Sequence, residues 1–435
     1  MLALMSQHVF AMNNSKPIIH DETISVQVIY QGLKFPTKMA FLAPNDILVL
    51  EKNEGKVQRI MNGIISSGPL VKENVSTESE RGMLGIAVEQ SVIEKEPRYI
   101  FLYYTLPDTN QSNDDFINKK SSFASNHVYR YELEDNKLIN PKPMLHLPSF
   151  PQSIHNGGVL LMGKDNYIYI LVGSVSPDYS SHRLYNTRTQ NDLNGSDADG
   201  RGGILRITQD GKPTEEKGIL GDEYPLNLYY AYGIRNGFGM DFDPLTGNLW
   251  DTENAAGQND EINFVTPGFN SGWKIVSGIS HKQLQVVDKL VNFNGEGRYQ
   301  DPKFVWNDTV GPTALKFLNT DKYGKQFEND MLVGDFHNGN IYHFDLNKDR
   351  RELVLKGSLA DKIANDSKEL QDITFGQGFG GITDMQMSPD GYLYILSVYE
   401  GGNNCPKEGP QKDCIPYASG IEGTIFKLVP NSDLS

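Results

Sequence analysis

The chain has 435 residues and a formal net charge of −15, with 55 acidic side chains against 40 basic ones. A surface of that sign repels a phosphate backbone over most of its area, which excludes nucleic acid as a partner class. No apolar run reaches the length of a membrane-spanning helix, and 42 glycines, 21 tyrosines and scarce helical periodicity point to a β architecture.

The first fifteen residues, MLALMSQHVFAMNNS, set apolar residues and Ala11 ahead of a polar stretch. A signal remnant would look like this, although residues 1–12 lack a basic start; residues 1–22 are expected to lie outside the fold. Thr23 to Tyr30 then alternates as a strand does. After it one phrase returns six times: a strand, a turn of Pro, Asp, Gly or Asn, a second strand, and a third after a variable loop. The copies span Lys38 to Ile60, Met83 to Leu133, Gly157 to Thr208, Tyr230 to Trp273, Thr313 to Leu346 and Ile382 to Val429.

One such unit cannot bury both faces, so the copies must close on one another. The pattern predicts an all-β chain with a single domain over residues 23–430 and a tail at 431–435. The predicted fold is a six-bladed β-propeller of four-stranded antiparallel sheets. Thr23 to Tyr30 is expected to pair with Gly423 to Val429 and fasten the circle. A sandwich of two sheets is the alternative, but it does not account for six copies. Polar insertions at Asp108 to Asn126, Ser176 to Gly202 and Gly401 to Gly420 become rim loops.

Cys405 and Cys414 are the only cysteines. Their closeness suits a local disulfide in an oxidising compartment. Asn-x-Ser/Thr acceptors at Asn13, Asn74, Asn110, Asn194, Asn307 and Asn365 agree with a secreted, periplasmic or cell-surface location.

Loops leading into the innermost strands of a propeller converge on its channel. Those positions hold Glu80, His155, Arg235 and Asn236, then His337, Thr383 and Asp384, with Asn254 at the end of a second strand. His155, in IHNGG, titrates near neutrality and is followed by glycines that let a ligand approach, so it is either a general base or the cap of a strand turn. Arg235 either faces a carbonyl or anionic ligand or bonds loop carbonyls. The loop TENAAGQNDEIN offers Glu253, Asp260, Glu261 and the carbonyls of Ala255 and Ala256, hard oxygen donors that suit Ca²⁺. Asp197 and Asp199 read as a solvated turn. Zinc-spaced Cys/His clusters, phosphate-cradling loops and nucleophile elbows are absent from the sequence.

Several ordered motifs together resemble the soluble glucose/sorbosone dehydrogenases, also called aldose sugar dehydrogenases: RGMLGIAV, HNGGVLLMGKDNYIYILVGS, GGILRI, YGIRNGFGMDFDPLTGNLWDTEN, NDEINFVTPGFNSGW and DMQMSPDGYLYIL. The resemblance covers nearly the whole chain after Ile24. It implies a six-bladed propeller that uses pyrroloquinoline quinone (PQQ) with Ca²⁺. His155 falls on the family's catalytic histidine, and Arg235 and Asn236 on the pair that touches the quinone oxygens. Ala255 and Ala256 fall on the carbonyls that hold Ca²⁺. Glu80 and Asn254 fall near the cofactor, where the family usually has glutamine.

The sequence also departs from the family. The aspartate that orients the catalytic histidine aligns on Ser174, with Asp178 nearby. A cofactor-binding lysine aligns on His337, and cofactor-binding arginines on Gly381 and Thr383. The histidine usual before Arg-Asn is Ile234. What the resemblance implies is a dehydrogenase of a sugar or alcohol, monomeric or homodimeric, passing electrons to an acceptor the sequence leaves unnamed. The lost cations motivate an alternative, a propeller that has lost the cofactor and binds a glycan or protein ligand. A lactone or ester hydrolase with a metal-activated water is a third reading, for which Glu80 and Asn254 are an incomplete ligand set.

Overall fold

The computed structural model describes residues 16–89, 98–107, 124–150, 154–175, 186–215, 217–280, 284–398 and 422–434. The strands form six sheets. In chain order their innermost strands are Pro36–Ala43, Met83–Val88, Val159–Met162, Gly237–Phe242, Pro312–Phe317 and Gly381–Met387. Each lies against the next and the last against the first, so the architecture is an all-β propeller around a central axis.

Middle strands such as Ile168–Val172 and Leu393–Val398 are buried along their whole length, because both faces of each sheet are covered by neighbouring sheets. That is why these segments read as continuous apolar runs. The sheets approach closely near the axis. A Cβ on Gly85 would stand 1.8 Å from the Gly158 carbonyl oxygen, so only glycine lets these two innermost strands meet.

Ile24–Lys34 pairs antiparallel with Glu422–Pro430 as the outer strand of the last sheet, which is the expected closure. Other expectations need correcting. The sheets are not uniformly four-stranded and antiparallel; they carry four to six strands. Parallel additions at Phe269–Asn270, Arg298–Tyr299 and Ile363–Ala364 come from connecting segments that run back along the outer edges. Ile18 and Ile19, inside the stretch expected to lie outside the fold, pair with Gln377 and Gly376. The run Asp108 to Asn126 is not loop to its end, because a strand begins at Ala124. Cys405, Cys414, Asp178 and residues 1–12 lie outside the described residues.

The central channel is nearly filled. Lys38, Ile86, Leu160, Gly239, Leu315 and Asp384 help line a cavity of about 20 Å³, room for no more than a water molecule. Lys38 spans it. Its Nζ donates to the carbonyls of Phe238 (2.8 Å), Thr383 (3.2 Å) and Thr313 (3.3 Å) and lies 3.4 Å from Asp384 Oδ1. Asp384 Oδ2 in turn accepts from the Met39 amide at 2.9 Å. One buried ammonium thus ties the first sheet to the fourth, fifth and sixth. Burial lowers its pKa, and the Asp384 charge opposes that shift.

Candidate active site

The loops ahead of the second, third and fourth innermost strands meet at one end of the channel, and Glu80 joins them. Its Oε2 accepts from the backbone amides of His155 (2.6 Å) and Asn156 (3.2 Å), and its Oε1 from Asn236 Nδ2 at 3.4 Å. Burial pushes the Glu80 carboxyl up, against the pull of these amides and the charges of Arg235 and Lys52. His155 sits in the left-handed region, φ 63°, where the Glu80 contacts hold its amide.

The His155 side chain is 4% exposed and its Nδ1 lies 3.0 Å from Ser174 Oγ. Burial, and then the Arg235 charge, hold its pKa well below the ordinary histidine value. The imidazole is neutral at neutral pH. Gly173 and Ser174 brace the two candidate loops together. The Ser174 amide donates to the Arg235 carbonyl at 2.7 Å, and a Cβ on Gly173 would stand 2.2 Å from the His155 carbonyl oxygen. The Ser174 carbonyl accepts from Gln190 Nε2 at 2.7 Å.

Arg235 is fixed from several sides. Its amide donates to Glu253 Oε1 at 2.7 Å, and its Nη1 to the carbonyls of Asn254 (2.7 Å) and Ala255 (3.0 Å). The guanidinium lies 5.3 Å from the centroid of the Trp273 ring. The Asn254 amide donates to the Asn236 carbonyl at 2.7 Å. Two side-chain oxygens, Asn236 Oδ1 and Asn254 Oδ1, are buried without a hydrogen-bond partner among the described residues. Buried acceptors of that kind call for a donor from a ligand or water.

The expected metal set is not brought together. Asp260 and Glu261 are consecutive in the strand Gln258–Val265, so their side chains point to opposite faces of the sheet and cannot address one ion. Asp260 anchors the loop: Oδ1 accepts from the Ala255 amide, and Oδ2 from the Val310 and Gly311 amides, each at 2.8 Å. Glu261 Oε1 accepts from the Gly278 amide at 2.6 Å beside the buried Asp251 and Glu253. A cation at the Ala255 carbonyl would compete with the Arg235 guanidinium already there. The residues around Ala255 and Ala256, as arranged, do not fit a Ca²⁺ ion.

His337 is on the same rim, with Nδ1 3.3 Å from the Thr309 carbonyl oxygen. Thr383 is not presented there, since its hydroxyl turns into the sheet toward the Leu396 carbonyl at 3.3 Å. Asp384 belongs to the channel, on Lys38. Asp199 pairs with Arg201 at 2.7 Å, and Arg201 Nη1 lies 3.5 Å from the Ser174 carbonyl oxygen.

Lys52 was not legible as a site residue. It is 2% exposed, donates to the Ser79 carbonyl at 2.8 Å, and is held down to about 7 by burial against the opposing charge of Glu80. Its position directly ahead of a turn, three residues from Gly55, gave no periodic signal. Trp273 and Gln190 were likewise found only through their contacts with Arg235 and Ser174.

A profile of the family described as Glucose / Sorbosone dehydrogenase matches residues 33–404. The chain is similar to the aldose sugar dehydrogenase YliI of Escherichia coli K12, 25% identical over 393 residues that make up 87% of this chain and 91% of that one. The crystal structure of the soluble aldose sugar dehydrogenase of Escherichia coli in its apo form superposes with a TM-score of 0.65 at 21% identity, covering 93% of this chain and all of that one. A PQQ-bound aldose sugar dehydrogenase from Streptomyces coelicolor superposes with a TM-score of 0.59 at 20% identity, covering 93% of this chain and 98% of that one. At these identities the structural likeness speaks for the fold.

Proposed function

The chain belongs to the glucose/sorbosone dehydrogenase family, a family of oxidoreductases, and from that premise we propose that it oxidises the C–OH group of a sugar or a related alcohol using PQQ. The six sheets support reading the ring as six blades, with the site at the mouth between the second, third and fourth. The observation that carries the proposal is the joint bracing of His155 and Arg235 on Gly173 and Ser174. It sets a buried imidazole and a buried guanidinium at one end of the channel.

PQQ, when bound, supplies a two-electron acceptor for the hydride leaving the substrate carbon. Arg235 and Asn236 would hold its polar quinone end by donating to the quinone oxygens, Asn236 through Nδ2, which otherwise reaches Glu80 Oε1 at 3.4 Å. His155 would take the substrate hydroxyl proton at Nε2, because Nδ1 is engaged by Ser174. Glu80 keeps the base in place through its backbone rather than its ring. Ca²⁺ at the Ala255 carbonyl would require Arg235 to move first, so no step is assigned to it. A secreted or surface location stays part of the proposal.

The test is a titration of the purified protein with PQQ, followed by absorbance and thermal shift, and then a dye-reduction screen on aldoses and alcohols. Saturable binding with turnover of an aldose supports the reading, since a ligand of the native state raises its stability by mass action. Failure of both overturns it. The lost cation at Thr383, whose side chain faces the sheet, would then favour a propeller that binds a glycan or protein ligand.

A further inference from the structure

A second polar cluster lies in the fifth sheet, away from the mouth. Met331 pairs with Phe344 and Leu332 with His343, so one further step places Asp330 opposite Asp345. His343 and Asp345 are two residues apart and share a face of the sheet. Asp330, His343 and Asp345 therefore converge at the end of the hairpin remote from His337. The strand Met331–Asp335 has five residues, so the two ends are roughly 17 Å apart at about 3.4 Å per residue.

His343 Nε2 lies 2.9 Å from Asp330 Oδ2 and 3.5 Å from Asp345 Oδ1. One oxygen from each carboxylate and one ring nitrogen all fall within 4.8 Å of one another. The imidazole is packed by Phe327, whose ring centroid is 5.2 Å away at 85°, and by Phe375 at 6.2 Å. These rings fix the plane in which Nε2 points. Nε2 carries at most one hydrogen and can direct it at only one of the two carboxylates. The other carboxylate is left facing a like charge. A divalent ion would satisfy all three atoms at once.

We propose that Asp330, His343 and Asp345 form a binding site for a divalent transition ion of the Zn²⁺ or Co²⁺ type, completed by water. One imidazole nitrogen and two carboxylate oxygens suit such an ion. Ca²⁺ takes six to eight oxygen ligands and is not served by this set. Asp345, with 48% of its side chain exposed, leaves the outer face open for exchange with solvent. The ion would clip the two central strands of the fifth sheet together, and its role is independent of the chemistry at the mouth.

The experiment uses the full chain, stripped with a chelator and dialysed, titrated with ZnCl₂ by calorimetry and thermal shift and with CoCl₂ by visible absorption. The proposal expects saturation at one equivalent, a rise in melting temperature, and a tetrahedral or five-coordinate Co²⁺ spectrum. It expects binding roughly tenfold or more weaker in Asp345→Asn and His343→Gln. CaCl₂ in excess should not compete. Asp345→Asn changes a half-exposed group and keeps the test sound if His343→Gln folds poorly. Absence of a saturable Zn²⁺ isotherm, or affinity unchanged in folded Asp345→Asn, overturns the proposal.

Discussion

Ser174 presents its Oγ to Nδ1 of His155 at 3.0 Å, so the imidazole is oriented by a neutral hydroxyl rather than by a carboxylate. Burial, and then the Arg235 charge, keep its pKa well below the ordinary value. On the proposed function, the acid limb of the rate profile should lie below pH 6.5. Ser174→Asp should move that limb to higher pH, because a carboxylate favours the charged ring. Ser174→Ala should lower the rate roughly tenfold, about 1.4 kcal/mol, while PQQ binding is retained. A pH–rate series on the three proteins checks this, and ¹⁵N titration of His155 reads the same shift without turnover.

Arg235 brings a guanidinium to the mouth. Its replacement in Arg235→Ala should weaken PQQ binding by roughly ten- to hundredfold, the loss of a charge-assisted contact of about 1.5–3 kcal/mol. The same change frees the carbonyls of Asn254 and Ala255, which now accept from the guanidinium. Calorimetry with PQQ, with and without CaCl₂, separates the two effects. A Ca²⁺ response seen only in the variant would show that guanidinium and metal compete for one place.

The channel clasp makes a stability prediction. Lys38→Met leaves Asp384 buried beside three carbonyls that have lost their donor, and should destabilise the fold by about 3–5 kcal/mol. The pair Lys38→Met with Asp384→Asn should lose less than the sum of the two single changes. Denaturant unfolding of the four proteins gives the coupling directly.

Asp251, Glu253 and Glu261 lie together in the fourth sheet, and burial raises all three carboxyls, with the Glu253 charge adding to it at Asp251 and Glu261 and the Asp260 charge at Glu253. A carboxyl whose folded pKa is raised binds more protons folded than unfolded. Stability is then lost as pH climbs from the unfolded value through the folded one. In chelator-containing buffer, Asp251→Asn should be more stable than the parent at pH 8 by about 1–3 kcal/mol and show no gain near pH 4. Melting curves across that range test the sign.

The ring was legible in the sequence because each unit repeats the two-residue alternation and ends in turn residues, as Asp243 to Gly247 does. The closure by Thr23 to Tyr30 followed from the need to satisfy the last sheet's edge. The metal set was misjudged for a reason also present in the sequence: Asp260 and Glu261 are neighbours on a strand, and parity alone sends them to opposite faces. What no local pattern carried were contacts across the ring. Lys38 and Asp384 are 346 residues apart, and Glu80 meets Asn236 over a separation of 156. Lys52 acquires its character only from the burial that those contacts impose.

The strand Ile24–Lys34 finds its partner only in Glu422–Pro430. Ser25 and Asn431, bonded at 2.6 Å, are 406 residues apart. At about 5–20 residues per second, translation leaves the first of them waiting roughly 20–80 s for the second. During that interval the edge of Ile24–Lys34 stands unpaired on the nascent chain, a template for intermolecular strand pairing. Chaperone demand should therefore be greatest late in synthesis, and a ribosome stalled shortly before Glu422 should hold a chain that is largely assembled yet prone to aggregate.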